Sequence, residues 1–177
     1  VLNQGSAKDN AAMKQDIRNS LAEIYKKMGN LEKAAVYYEQ FSRGATGPKA
    51  KTAMNNAAIL WIALGRSDEA LKAYNVLDKT ASEKEKIDHF YDKAEMYYQK
   101  KDFPRAIYNY DQFLRGGWRD ALRCMRAMYT IGDIYAKKGQ NGQAKAWFNK
   151  TLEFYKERGG KTGAKYAAQS KFWMTRK

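Results

Sequence analysis

One pattern recurs along this chain at nearly constant spacing, and it restricts the fold more than any other feature. Its first complete copy runs from Leu21 to Phe41, LAEIYKKMGNLEKAAVYYEQF. Gly29 follows a helical run, where a left-handed cap residue belongs. Asn30 comes next and suits the N-cap of a second helix. Ala34, Tyr38 and Phe41 then fall at i, i+4 and i+7, a one-sided apolar stripe at helical period. The tract reads as helix, tight turn, helix.

Three more copies follow. Gly65, Ala70, Tyr74 and Leu77 repeat the set. Ala106, Tyr110 and Phe113 repeat it with Lys101 where the glycine stood, and Gly139, Ala144 and Phe148 form the fourth. The alanines 34, 70, 106 and 144 are 36, 36 and 38 residues apart, the period of stacked helical repeats. Each first helix carries a small residue three before a large ring: Ala22 and Tyr25, Ala58 and Trp61, Ala94 and Tyr97, Gly132 and Tyr135. A small side chain lets two helices approach while the ring fills the gap beside it. Enlarging Ala70 to Leu should overpack that contact, at about 1–3 kcal/mol.

These residues resemble the tetratricopeptide repeat family: the small-x-x-aromatic of each first helix, the turn glycine, and the Ala-x-x-x-aromatic of each second. The resemblance covers residues 15–155. The chain departs from the family in lacking its leading Trp and the Pro that often closes a repeat, and its linkers are longer than the usual 34-residue period allows. The resemblance implies an all-α fold, a right-handed α-solenoid of four helix-turn-helix repeats plus a C-terminal helix. The chain is expected to be one domain, residues 1–177, with repeats at 11–46, 47–81, 82–117 and 119–157 and a capping or fifth-repeat helix at 161–176.

In order, residues 1–6 read as a disordered lead and Ala7 to Met28 as the first helix. Leu31 to Arg43 is the second, and Gly44 to Pro48 a break. Lys49 to Leu64 follows, then Ser67 as an N-cap with Asp68 and Glu69 placed to suit the helix dipole. Thr80 to Glu83 has capping-box spacing before a helix to Lys100. Asp102 can cap the next helix, with Pro104 tolerated in its first turn. Gly116-Gly117 breaks the chain before Trp118, and Gly159-Gly160 ends the fourth hairpin. Lys161 to Met174 forms an amphipathic tail helix with Tyr166, Phe172 and Trp173 as its apolar side. It reads as the opening helix of a further repeat, or as a patch through which two copies could dimerise. Together with Val1 in place of Met, it leads us to expect a segment of a longer array, in a style that resembles bacterial tandem-repeat proteins.

No catalytic constellation is visible, and no cofactor is expected. His89, the sole histidine, lies beside Asp88 and Asp92; it reads as a solvated surface residue in preference to half a metal site. The glycine pairs lack phosphate-loop spacing. The single cysteine, Cys124, excludes an internal disulfide and reads as a small packed residue. No run of 18 apolar residues is present, so no transmembrane segment is expected. A bacterial cytoplasm or a periplasmic envelope would suit the chain equally.

The net charge of +14 needs a location. In the family the first helices line the concave face. By that resemblance the inner surface presents Asp16, Asn19, Glu23 and Lys26; Thr52, Asn55, Ile59 and Ile62; Asp88, Tyr91, Glu95 and Tyr98; and Arg126, Tyr129, Asp133 and Ala136. Five of these are carboxylates and two are cations, so the excess Lys and Arg must lie on outer helices, turns and tail. The family's carboxylate clamp for acidic chaperone tails is not matched. Asn56 fits one clamp position, but Asn19 and Glu23 stand where Lys and Asn are needed, and Asp88 and Asp92 replace the last two cations.

The expected function is a non-enzymatic protein–protein interaction scaffold within a larger complex. Its concave groove, lined by Asn19, Glu23, Asn55, Ile59, Tyr91, Glu95, Tyr98, Tyr129 and Asp133, would bind a neutral or mildly basic partner peptide or helix. The first alternative is a polyanion, nucleic acid or anionic lipid, or an acidic partner, on a basic outer ridge. Nucleic acid is disfavoured there because most rings sit at packing positions. The second is a structural segment of a longer array.

Overall fold

The computed structural model describes residues 2–116, 120–158 and 160–176. Gly117, Trp118 and Gly159, expected at chain breaks, lie outside the described residues. Every described element is helical: α1 (Leu2–Lys27), α2 (Leu31–Gly44), α3 (Gly47–Ala63), α4 (Ser67–Leu77), α5 (Glu83–Gln99), α6 (Phe103–Gly116), α7 (Ala121–Lys137), α8 (Asn141–Arg158), a short 3-10 turn (Lys161–Gly163) and α9 (Ala164–Thr175). The chain divides into two compact units, Val1–Ser82 and Glu83–Lys177. In the first, α1 and α2 form a hairpin, α3 packs on α2, and α4 folds back on α3. In the second, α5 pairs with α6, α7 packs on α6 and pairs with α8, and α9 lies against α8 and α7.

All four hairpin turns close in the same way. Gly29, Gly65 and Gly139 take φ of +76°, +70° and +73°. The amides of Asn30, Arg66, Asp102 and Gln140 reach back to the carbonyls of Tyr25, Trp61, Tyr97 and Tyr135 at 2.8–2.9 Å. Those bonds satisfy carbonyls that a helix end would otherwise leave open. In the third turn Lys101 adopts the left-handed conformation itself, at φ +60°. The helix that follows each turn is capped locally where the sequence supplies an oxygen. Asn30 accepts from the Lys33 amide at 3.2 Å and Asp102 from the Arg105 amide at 3.3 Å.

Packing follows the small-residue pattern. Ala22, Ala34, Ala58, Ala70, Ala94, Ala106 and Ala144 are fully buried, and the rings of Tyr38, Tyr110, Phe113 and Phe148 pack beside them. Gly132 takes the alanine's place in the fourth copy: a Cβ there would stand 2.8 Å from the Phe148 ring. Between α2 and α3 of the first unit, the Trp61 indole donates to Glu39 at 2.7 Å.

Several expectations need correction. Residues 2–6 are helical, part of α1, so the lead is not a disordered one. The N-cap of α4 is Arg66, with Ser67 as the first helical residue; Arg66 bonds Glu69 at 2.9 Å across the first turn. The third helix starts at Gly47, with Pro48 in its first turn, where the missing N–H costs nothing. His89 is buried, at 9% exposure. It stands at the register position of Ala53 and Ala127, which face inward in their own copies. On the tail, Trp173 packs on Phe148 with centroids 4.8 Å apart, while Phe172 stays 56% exposed beneath the Arg176 guanidinium. Cys124 is fully buried, and burial pushes its thiol up to about 11.

Candidate functional site

The inner faces of the two units share one plan and differ in what occupies it. In the first unit, α1 and α3 stand apart over the α2 residues Tyr38 and Phe41. The cleft between them has a volume of roughly 420 Å³. Asp16, Asn19 and Glu23 form one wall, and Pro48, Lys49, Thr52, Ala53 and Asn56 the other. Helical spacing explains both sets: 16, 19 and 23 lie on one face of α1, as do 49, 52, 53 and 56 on α3. The Tyr38 hydroxyl on the floor donates to the Glu23 carboxylate. Burial and that acceptor hold the phenol well above its ordinary range, and a hydrogen bond with Asn56 opposes the shift. Thr52 donates its hydroxyl proton to the Pro48 carbonyl at 3.0 Å.

The second unit has the same floor under a different set of side chains. Stepping 72 residues along α1 and α2, and 74 along α3, gives Asp88, Tyr91, Glu95, Tyr110 and Phe113, and Arg123, Arg126, Ala127 and Thr130. Tyr91 replaces Asn19. Its ring is only 7% exposed and stands edge-on to Phe113 and Tyr110, with centroids 5.0 and 6.1 Å away. Arg126 replaces Thr52 and pairs with Glu95. Arg123 replaces Lys49, bonds Asp88 at 3.1 Å and lies 5.0 Å over the Tyr91 ring. Glu95 also accepts from the Tyr110 hydroxyl at 2.8 Å. One large buried ring and two paired guanidiniums thus stand where Asn19, Lys49 and Thr52 stand in the first unit.

The residues expected on the groove fall into three groups. Asn19 and Glu23 line the open cleft. Asn55 and Ile59 are exposed on the neighbouring face of α3. The other five belong to the second unit and are engaged there. Tyr91 is a core ring that offers a partner only its margin, and Glu95 is held as described. Tyr98 donates to Asp133 at 2.9 Å, and Lys137 bonds both, reaching the Tyr98 oxygen at 2.9 Å; these contacts hold the Lys137 ammonium above its ordinary range. Tyr129 lies against Phe148 and Tyr166, with centroids 5.6 and 5.7 Å away. Glu23, Glu95 and Asp133 therefore already hold tyrosine hydroxyls or cations of their own unit.

Lys49 and Tyr38 were not expected at the cleft, and Asn56 was singled out only as a match to one clamp position. For Asn56 the available signal was its i+4 spacing from Thr52, which keeps it on the inner face; Asn55 turns away. Among the described residues no three His, Cys, Asp or Glu side chains gather as a metal site, and no helix is long and apolar enough to cross a membrane.

Two family models, both described as tetratricopeptide repeat, match residues 19–84 and 126–157. Together they span more than half of the chain. No curated protein matches the sequence significantly. Among solved structures the chain is similar to BtubC (BKLC) from P. vanneervenii, with a TM-score of 0.55 and 22% identity over 85% of this chain and 66% of that one. It is also similar to MamA, with a TM-score of 0.56 and 16% identity over 88% of this chain and 95% of that one. At these identities the likeness is one of fold, an all-α array of helical repeats.

Proposed function

The chain belongs to the tetratricopeptide repeat family, and on that premise we propose that it holds a partner segment in the cleft between α1 and α3. A protein–protein interaction scaffold is the function the repeats support. The finer reading rests on one observation: the inner face of the first unit holds a cleft, lined at Asn19, Lys49 and Thr52 where the second unit carries a buried ring and two paired guanidiniums.

The cleft is a preformed concavity, so a segment entering it orders little of the scaffold. Its walls suit an extended, neutral or mildly basic stretch. The Asn19 amide carries both donors and acceptors for a peptide backbone, and Thr52 keeps acceptor capacity after donating to Pro48. Asp16 and Glu23 outweigh Lys49 in charge, which favours a Lys or Arg in the partner over an Asp or Glu. The wider groove residues, Asn55 and Ile59 on α3 and Tyr98, Tyr129 and Asp133 of the second unit, are proposed as secondary contacts in a larger complex. No catalytic role is assigned to any of them. The polyanion reading gains no support from the second unit's inner face, where Arg123, Arg126 and Lys137 are committed to carboxylates.

The test is to give the first cleft the side chains that the second unit carries at the same positions. A random peptide library displayed on phage is panned on the protein, and the selected peptides are measured against Asn19→Tyr/Thr52→Arg. Binding should fall at least tenfold while the melting temperature holds. Selected peptides that bind the double variant as well as the parent, or a panning that enriches none, would exclude the cleft as the binding site.

A further inference from the structure

The outward face of α1 carries the largest run of exposed apolar side chains in the first unit. Met13, Ile17, Ile24 and Met28 are 63, 51, 50 and 72% exposed. They fall on one helical face with Ser20 and Leu21 between them, above a shallow depression that Ala12 and Asp16 also line. In register, Ile17, Leu21 and Ile24 correspond to Ala53, Ala57 and Leu60 of α3 and to Ala127, Ile131 and Ile134 of α7, all buried. Those helices pack on α2 and α6 respectively. The α1 face is therefore built for a helix, and no described part of the chain covers it.

Its order identifies the occupant. Read from either end the stripe is the same: Met, three residues, Ile, two residues, the Ser20-Leu21 centre, two residues, Ile, three residues, Met. A helix face with this arrangement is complementary to itself when a second copy lies antiparallel across it, since a two-fold contact uses one patch on both partners. Met13 then meets Met28 of the second copy, and Ile17 meets Ile24. At 100° per residue Asp16 and Lys27 lie on the same flank of the stripe. The two-fold brings each Asp16 carboxylate toward the Lys27 ammonium of the other copy. We infer that the chain self-associates through α1, as an antiparallel pair centred between Ser20 and Leu21.

The contact is small, one helix face from each copy, and falls below the roughly 1,200 Å² of total buried area typical of stable complexes. Association should accordingly be weak. Each copy also carries a net charge of +14, so added salt should tighten the pair by screening repulsion.

Sedimentation velocity from micromolar to millimolar concentration reads the association, and cysteine pairing reads its register. Cys124 is buried with its thiol held protonated, so a cysteine placed on α1 is the reactive one. Ser20→Cys should oxidise to a disulfide dimer on its own. Met13→Cys should not, because its counterpart lies about 22 Å away along the helix, but it should cross-link when mixed with Met28→Cys. Ile17→Lys should abolish the concentration dependence, and mixing it with Ile24→Glu should restore part of it. All these positions are exposed, so circular dichroism should stay unchanged. A monomer throughout the concentration range, or Met13→Cys cross-linking to itself as fast as to Met28→Cys, would overturn the inference and leave the face to a different occupant.

Discussion

The hydroxyl of Tyr110 donates to the Glu95 carboxylate at 2.8 Å, repeating in the third hairpin the bond that Tyr38 makes to Glu23 in the first. Each bond ties a fully enclosed ring on a second helix to an acid on the first helix of the same hairpin. The second hairpin keeps the ring, Tyr74, but has Ile59 where the acid would be. The fourth keeps the acid, Asp133, but has Phe148 in place of the ring, so its acid takes the Tyr98 hydroxyl instead. Removing the Tyr110 hydroxyl leaves half-buried Glu95 one donor short, with Arg126 still in place. Hydrogen bonds to charged groups contribute about 1.5–3 kcal/mol, and the remaining pair makes the lower end apt. Tyr110→Phe should lower the unfolding free energy by about 1.5 kcal/mol in urea titration. An unchanged midpoint would mean that the ring alone holds the hairpin.

Lys101 is the one described turn residue outside glycine with a positive φ, +60°. Its three counterparts are glycines with the same pair of backbone bonds. A Cβ in this region costs about 1–2 kcal/mol, partly offset by the freedom that glycine loses on folding. Lys101→Gly should therefore stabilise by about 0.5–1 kcal/mol, raising the melting temperature by a few degrees for a chain of this size. Gly29→Lys should do the reverse.

Gly132→Ala sets two effects against each other. Helix propensity alone favours Ala by about 1 kcal/mol. The new methyl would stand 2.8 Å from Phe148 Cε1, and that ring, 1% exposed with Tyr129 on it and Trp173 beside it, has no room to swing. Overpacking of this kind costs about 1–3 kcal/mol, so a net loss is expected. Trimming the ring with Phe148→Leu in the same chain should return part of it. Scanning calorimetry of the two single variants and the double variant decides the sign.

The repeat was legible because its signals are local. A turn glycine, a cap oxygen three residues before an amide, and an alanine one turn from a ring each specify geometry within a few residues. Tyr91 shows where that stops. It shares a register position with Asn19, and position alone marks both as inner-face residues. Whether a ring there lines a cleft or fills it depends on Arg126 and Phe113, one on another hairpin and one on the paired helix. Asn55 and Asn56 show the second limit: adjacent residues differ by 100° around a helix, so a small error in where α3 faces α1 exchanges a wall residue for an exposed one. The buried His89 follows from the same cause, since an imidazole flanked by two carboxylates reads as solvated until its register with Ala53 and Ala127 is seen.

Alkaline pH should destabilise this protein. Burial pushes the Cys124 thiol up to about 11, and burial followed by the Glu95 carboxylate holds the Tyr91 and Tyr110 phenols far above their ordinary range. Tyr38 is raised by burial and Glu23. In every case the folded state binds the proton more tightly than the unfolded state. These groups thus add stability that is complete below their unfolded values, about 8.5 for the thiol and about 10 for the phenols. It is lost as pH rises through the folded values, because the unfolded chain releases the protons first. Urea midpoints should fall from about pH 9 upward, first through Cys124 and more steeply once the unfolded phenols ionise. Cys124→Ser should flatten the first part of the decline, and Tyr110→Phe the second. A midpoint that holds steady to pH 11 in the parent chain would contradict the assignment of these rings and this thiol as buried, proton-holding groups.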